Sequence, residues 1–310
     1  MLFSTIRRRK PSRPRETVGY YVGGLSILSV VSLFIGTYLL PKPVRRSLAF
    51  EYADPTLATA YTAHLVHLTP SHLFGNLIAF VVVSGLLLTL TVRANDRWLS
   101  VGILVMFAFV LPVTLSFLNL AVPRNSVTYG FSGLNMGLVG ILPIAAVRYV
   151  EQKRRNPVTA PVLLIQFLLS SIYISIVSIP PSKLSRIVFV TSVVLGAVVM
   201  FRTNSWRGRR VGDIGRRSAG SDERIDRTGW LTPLFVGGLG VWMLLLSAGF
   251  PDEVGVDGTV INIYAHFLGY TLGFISAYLA HEWRLFGEHI RRPERAEVVR
   301  NQSPSNRTRK

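Results

Sequence analysis

The chain has 310 residues, 34 Lys and Arg against 16 Asp and Glu, a formal net charge of +18 and no cysteine. Hydrophobic residues make up 49 % and charged residues only 16 %, against about 25 % charged in soluble domains, so a water-soluble surface is excluded. The missing cysteines exclude disulfides, a thiol nucleophile, cysteine-type zinc sites and iron–sulfur clusters.

A helix needs roughly 20 apolar residues to cross a hydrocarbon core of about 30 Å. Eight stretches meet or approach that length: Gly19–Leu40, His72–Val92, Trp98–Leu120, Ser132–Val147, Val158–Ile179, Ile187–Phe201, Trp230–Phe250 and Gly258–Ala280. The fourth and sixth are the shortest. None contains Asp, Glu, Lys or Arg. The first follows a basic segment (residues 1–18) but is too long for a signal-peptide core, which predicts a retained helix. The expected fold is all-α, a polytopic membrane helix bundle of about eight transmembrane helices.

Basic residues concentrate on the cytoplasmic side of membrane proteins. With the N-terminus inside and eight crossings, 28 of the 34 Lys and Arg fall on inner segments and six on outer ones. Both termini are therefore expected in the cytoplasm, with the chain in the cell membrane. The same split accounts for a sequence pI near 11.0 through topogenic charge beside anionic headgroups, without nucleic acid as a partner. The tail from Arg291 to Lys310 is polar and is expected to be disordered.

With no charges in the spans, the informative residues are polar groups at membrane depth, which are costly in hydrocarbon and gather at functional sites. His72 and Asn76 are four residues apart, on one face at the outer end of the second span. The run Tyr129-Gly130-Phe131-Ser132-Gly133-Leu134-Asn135 opens the fourth span. It places a serine between glycines at a helix start, beside unpaired N–H groups suited to developing negative charge. In the last span, His266 stands one turn before Gly269 and Gly273, a G-x-x-x-G face that lets a neighbouring helix come close. Each cluster also has a plain structural account: a polar pair joining helices, a helix cap with packing glycines, a hydrogen-bonding histidine. Read as crossings, the three spans run in the same direction and carry their polar clusters in the outer third, which favours one shared site.

The combination of His67, His72 and Asn76 in H-x4-H-x3-N, Gly130, Ser132 and Gly133 in G-x-S-G, and Ala265, His266, Gly269 and Gly273 in A-H-x-x-G-x-x-x-G resembles the rhomboid intramembrane serine proteases. The match covers roughly residues 19–147 and 230–280. The resemblance implies a rhomboid-like core with a catalytic dyad of Ser132 and His266 and no carboxylate. It implies oxyanion donors at His72, Asn76 and the Ser132 backbone N–H. His67, Gly130, Gly133, Gly269 and Gly273 would be supporting motif residues. The implied partners are a transmembrane protein substrate, cut near the outer end of its helix, and the lipid bilayer; no cofactor or metal is implied.

Three departures from the family pattern stand out. Three spans, rather than one, separate serine from histidine, so Val158–Phe201 is expected to be an inserted pair and Trp230–Phe250 the core fifth span. The Trp-Arg pair common in the family's first outer loop has no match in Pro41–Ala63. An aromatic found four positions after the serine in some relatives is Met136 here, so His266 has to be held by other contacts. Among rival readings, an inactive relative that binds or escorts membrane proteins generally loses the serine or the histidine, and both are present. A coupled transporter needs intramembrane ionisable groups or repeated broken helices, and no span carries a carboxylate. That also excludes an aspartyl intramembrane protease. His281-Glu282 lacks the second histidine of the zinc motif H-E-x-x-H.

Overall fold

A computed structural model of the chain describes residues 13–122, 125–154, 160–177, 242–250, 255–256, 259–260 and 262–301. These residues form a helical bundle. In chain order they give α1 (Arg13–Leu39), α2 (Lys42–Ser47), β1 (Phe50–Glu51), α3 (Leu57–Thr62) and α4 (Pro70–Arg93). There follow α5 (Arg97–Val105), α6 (Leu111–Leu118), β2 (Val127–Thr128), α7 (Ser132–Arg154) and α8 (Ala160–Val177). Residues 242–249 are helical (α9), β3 (Gly255–Val256) pairs with β4 (Thr259–Val260), and α10 spans Ile263–Asn301.

Five segments are long and apolar enough to cross a membrane: Glu16–Leu39, Pro70–Arg93, Arg97–Asn119, Ser132–Gln152 and Ile263–Arg284. Leu163–Ile174 is a shorter apolar helix. Of the remaining expected spans, 187–201 and 230–241 lie outside the described residues. The third of these segments joins α5 to α6 through a π-helical turn, Met106–Val110. Pro112 explains the turn, because its ring cannot accept the α-helical contact with the carbonyl four residues back.

At the centre stands α7, with 94 % of its apolar stretch buried, against 6 % for the peripheral α1. Pro143 lies inside α7 and leaves the Val139 carbonyl without its helical donor. The Trp242 indole Nε1 donates to that carbonyl at 3.1 Å, fastening α9 to the middle of α7. Trp242→Phe should therefore lower stability by about 1–3 kcal/mol, the penalty of a stranded buried carbonyl. In a Pro143→Ala background the helix supplies its own N–H and the loss should shrink. Denaturation midpoints of the four proteins check this; equal losses in both backgrounds would remove the proline from the explanation.

Three boundaries differ from the sequence expectation. The last helix starts at Ile263 rather than Gly258, because Thr259–Val260 pairs as β4 with β3 and Asn262 caps the helix, its Oδ1 accepting from Ala265 N at 3.1 Å. The fourth span, expected to end at Val147, continues as helix to Arg154. This extension buries Arg148 and Glu151, which pair with Asp96 from the α4–α5 turn and with Arg284 of α10 at 3.3 Å. Opposite charges that meet across helices can be buried where single ones cannot. His281 of α10 is fully buried beside them, its Nε2 3.8 Å from Glu151. The tail expected to be disordered from Arg291 is helical as far as Asn301. Arg, Glu and Ala favour helix, and propagation from an already packed helix needs no new nucleus.

Candidate active site

Two glycine rows decide how α7 meets α10. An added Cβ on Gly269 would overlap the Gly133 carbonyl oxygen, and one on Gly273 would overlap that of Gly137. Residue numbers rise together along the seam, so the helices run parallel with their backbones in contact. A Cβ on Gly133 would in turn stand 3.3 Å from the Ala265 carbonyl oxygen. Ser132 and His266 are the direct neighbours of that last pair. The seam thus puts the serine at the start of α7 and the histidine in the first turn of α10 at one end of the bundle.

α4 joins the same end, also in parallel. Asn135 of α7 donates through Nδ2 to the backbone carbonyl of Asn76 at 3.1 Å and to its side-chain Oδ1 at 3.2 Å. One turn earlier the His72 ring lies over Gly130, whose added Cβ would be 2.6 Å from Cε1 and 2.8 Å from Nε2. Gly130 has φ +106°, a conformation that side-chain-bearing residues rarely adopt. Conformation and contact both require glycine there, two residues before Ser132.

The backbone before Ser132 is tied down from outside the long helices. β2 pairs antiparallel with β1, and Gly130 N donates to the Ala63 carbonyl at 2.9 Å. His64 Nε2 donates to the Pro112 carbonyl at 2.9 Å and lies 3.1 Å from Ser116 Oγ. Burial pushes its pKa down, so it stays neutral in this structural role. His67 is fully buried, donates from Nδ1 to the Leu65 carbonyl at 3.1 Å and stands edge-on to His72, ring centres 5.0 Å apart. Burial, and then the nearby His72, lower its pKa to about 3. In place of a Trp-Arg pair, Arg45 fixes this loop by donating to the His67 carbonyl at 2.6 Å while its guanidinium sits 4.5 Å over the Tyr38 ring.

Ser132 is half-buried and opens α7, where the first N–H groups of a helix have no intrahelical acceptor. His266 is buried, 7 % exposed. Its Nδ1 lies 2.6 Å from the Gly249 carbonyl oxygen. No direct hydrogen bond joins Ser132 Oγ to the imidazole among the described residues, a separation common in catalytic pairs without substrate. Asn76 Nδ2 donates to the His72 carbonyl at 3.0 Å, leaving its second N–H for another acceptor. Sequence reasoning singled out the run containing Asn135 without giving that residue a role. It also passed over Asn262, which donates to Asn119 Oδ1 at 3.2 Å, and Gly249. Among the described residues no group of three or more His, Asp and Glu could hold a metal ion. Compared with family models, with curated proteins and with solved structures, the chain finds no match in any of the three.

Proposed function

We propose that this protein is an intramembrane serine endopeptidase of rhomboid architecture, acting on a transmembrane helix of another membrane protein. The observation that carries the reading is the glycine seam, because it brings the start of the helix that bears Ser132 against the first turn of the helix that bears His266, more than a hundred residues away in the chain. The parallel run of α4, α7 and α10 supports it, since all three polar clusters lie at one end. In this reading Ser132 Oγ attacks the peptide carbonyl while His266 Nε2 takes its proton. The tetrahedral oxyanion accepts hydrogen bonds from the Ser132 N–H, the His72 imidazole and the free N–H of Asn76. Nε2 then returns the proton to the leaving amine, and a water deprotonated by Nε2 hydrolyses the acyl-enzyme.

The charge distribution along the sequence supports eight crossings with both termini in the cytoplasm of a cell-membrane protein, and hence a site near the outer leaflet. The contacts of Trp242 and Gly249 support Trp230–Phe250 as the core fifth span. α8 belongs to the inserted pair and packs on α10: Ser170 Oγ lies 2.6 Å from the Tyr270 hydroxyl, and Phe167 stacks on Phe274 with ring centres 4.5 Å apart.

A fluorophosphonate probe tests the reading. Purified wild-type protein should be labelled covalently, and Ser132→Ala should not. A folded wild-type preparation that takes no label would favour the second reading, a binding or escort protein of the same architecture. The missing direct bond between Ser132 and His266 is the observation on that side.

A further inference from the structure

A base that hands protons between a hydroxyl and an amine needs its lone pair on the correct ring nitrogen. In soluble triads a buried carboxylate secures this by holding the opposite N–H. No carboxylate approaches His266 in the described residues. What faces its Nδ1 at 2.6 Å is the Gly249 carbonyl, and a carbonyl oxygen can only accept. Nδ1 must therefore carry the proton, and Nε2 is left with the lone pair.

The neighbours of Gly249 explain why its carbonyl stays in place. A Cβ on Gly249 would overlap the Met136 sulfur and come within 2.8 Å of its methyl carbon, so the methionine fills the space where a side chain would stand. Phe250 follows, 1 % exposed, with its ring edge-on to the imidazole, centres 6.0 Å apart. Trp242 anchors the start of this helical segment to the Val139 carbonyl. The hydrogen bond from Gly249 and the phenylalanine ring hold the imidazole from the α9 side.

We propose that Gly249 is the positioning residue of His266, its backbone carbonyl fixing the Nδ1-protonated tautomer, with Met136 packed on the glycine to hold that carbonyl in reach. The assignment rests on the peptidase reading for its consequence, though not for its test. Gly249→Ala drives a methyl group into Met136; because the methionine is itself buried and its tip has no solvent to swing into, the added volume displaces the carbonyl and frees the ring to change tautomer. A displacement of about 1 Å lowers kcat by about 10²-fold, with KM little changed because substrate contacts remain. Met136→Ala in the same chain removes the collision and should restore most of the lost kcat.

Nitrogen-15 NMR of the full chain in bilayers or micelles, labelled at histidine, reads the tautomer directly; the signal lost in His266→Gln identifies the residue. The expected result is a protonated Nδ1 and an unprotonated Nε2 in wild type, loss of that preference in Gly249→Ala, and its return in the double variant. A wild-type His266 protonated on Nε2, or a tautomer unchanged by Gly249→Ala, overturns the proposal. The wild-type measurement decides even if the alanine variant does not fold. A chain that shows the Nδ1 proton yet never takes fluorophosphonate retires the peptidase reading and leaves the carbonyl as the group that sets the tautomer.

Discussion

Replacing His266 by alanine should lower both fluorophosphonate labelling and peptide hydrolysis by roughly 10⁴-fold or more, the range seen when one member of a serine nucleophile–base pair is removed. A serine hydroxyl is a poor nucleophile until a base takes its proton during attack, and no second base stands at this end of the bundle in the proposed roles. His64 and His67 are held neutral in structural hydrogen bonds. His72 reaches the site across Gly130 as a donor. Folding should survive, because the imidazole contributes one hydrogen bond to the Gly249 carbonyl while the glycine seam of α10 is untouched. Single-turnover rates of purified His266→Ala against wild type provide the check. Turnover within ten-fold of wild type would take the dyad out of the mechanism.

The largest structural effect is expected at Gly269. An alanine there would press its methyl into the Gly133 carbonyl oxygen, and backbone, unlike a side-chain tip, has no rotamer into which to retreat. Overpacking typically destabilises by about 1–3 kcal/mol where side chains can shift; here the whole helix has to move, so the loss should reach or exceed the upper figure. Separating α7 from α10 also parts Ser132 from His266, so activity should fall with stability. Gly85→Ala on α4 is the matched control: nothing lies within 4 Å of its added Cβ, and alanine is the better helix former by about 1 kcal/mol. Denaturation midpoints and labelling of the two variants, side by side, test the seam. Equal behaviour would mean that the backbones of α7 and α10 do not touch.

Much of this arrangement is legible in the sequence because the bilayer imposes simple rules. Apolar length marks α4 and the α5–α6 segment within a few residues and the start of α7 at Ser132, and the Gly269–Gly273 spacing announces a close helix contact before its partner is known. The candidate site residues are legible for a related reason: polar groups are rare enough in these spans that Ser132, His72, Asn76 and His266 stand out. What sequence periodicity misses depends on partners distant in the chain. Arg148 and Glu151 fall beyond the expected end of the fourth span because their partners, Asp96 and Arg284, come from other elements. Asn135 reads as one more residue of a glycine-rich run until Asn76 is placed beside it. The start of α10 is misplaced because Asn262 caps four residues after Gly258, inside a stretch whose hydropathy is uninterrupted. Gly249 carries no signal at all, since what it offers His266 is a main-chain oxygen that every residue possesses.

The seam between α7 and α10 also sets a timetable. The hydroxyl lies on the central helix and the imidazole on a helix made more than a hundred residues later, and their backbones meet only when the second docks against the first. A nascent chain that has inserted everything through α9 holds a nucleophile with no base and a row of bare glycines awaiting cover. Proteolytic competence, in the proposed reading, is thus withheld until α10 has been made and docked.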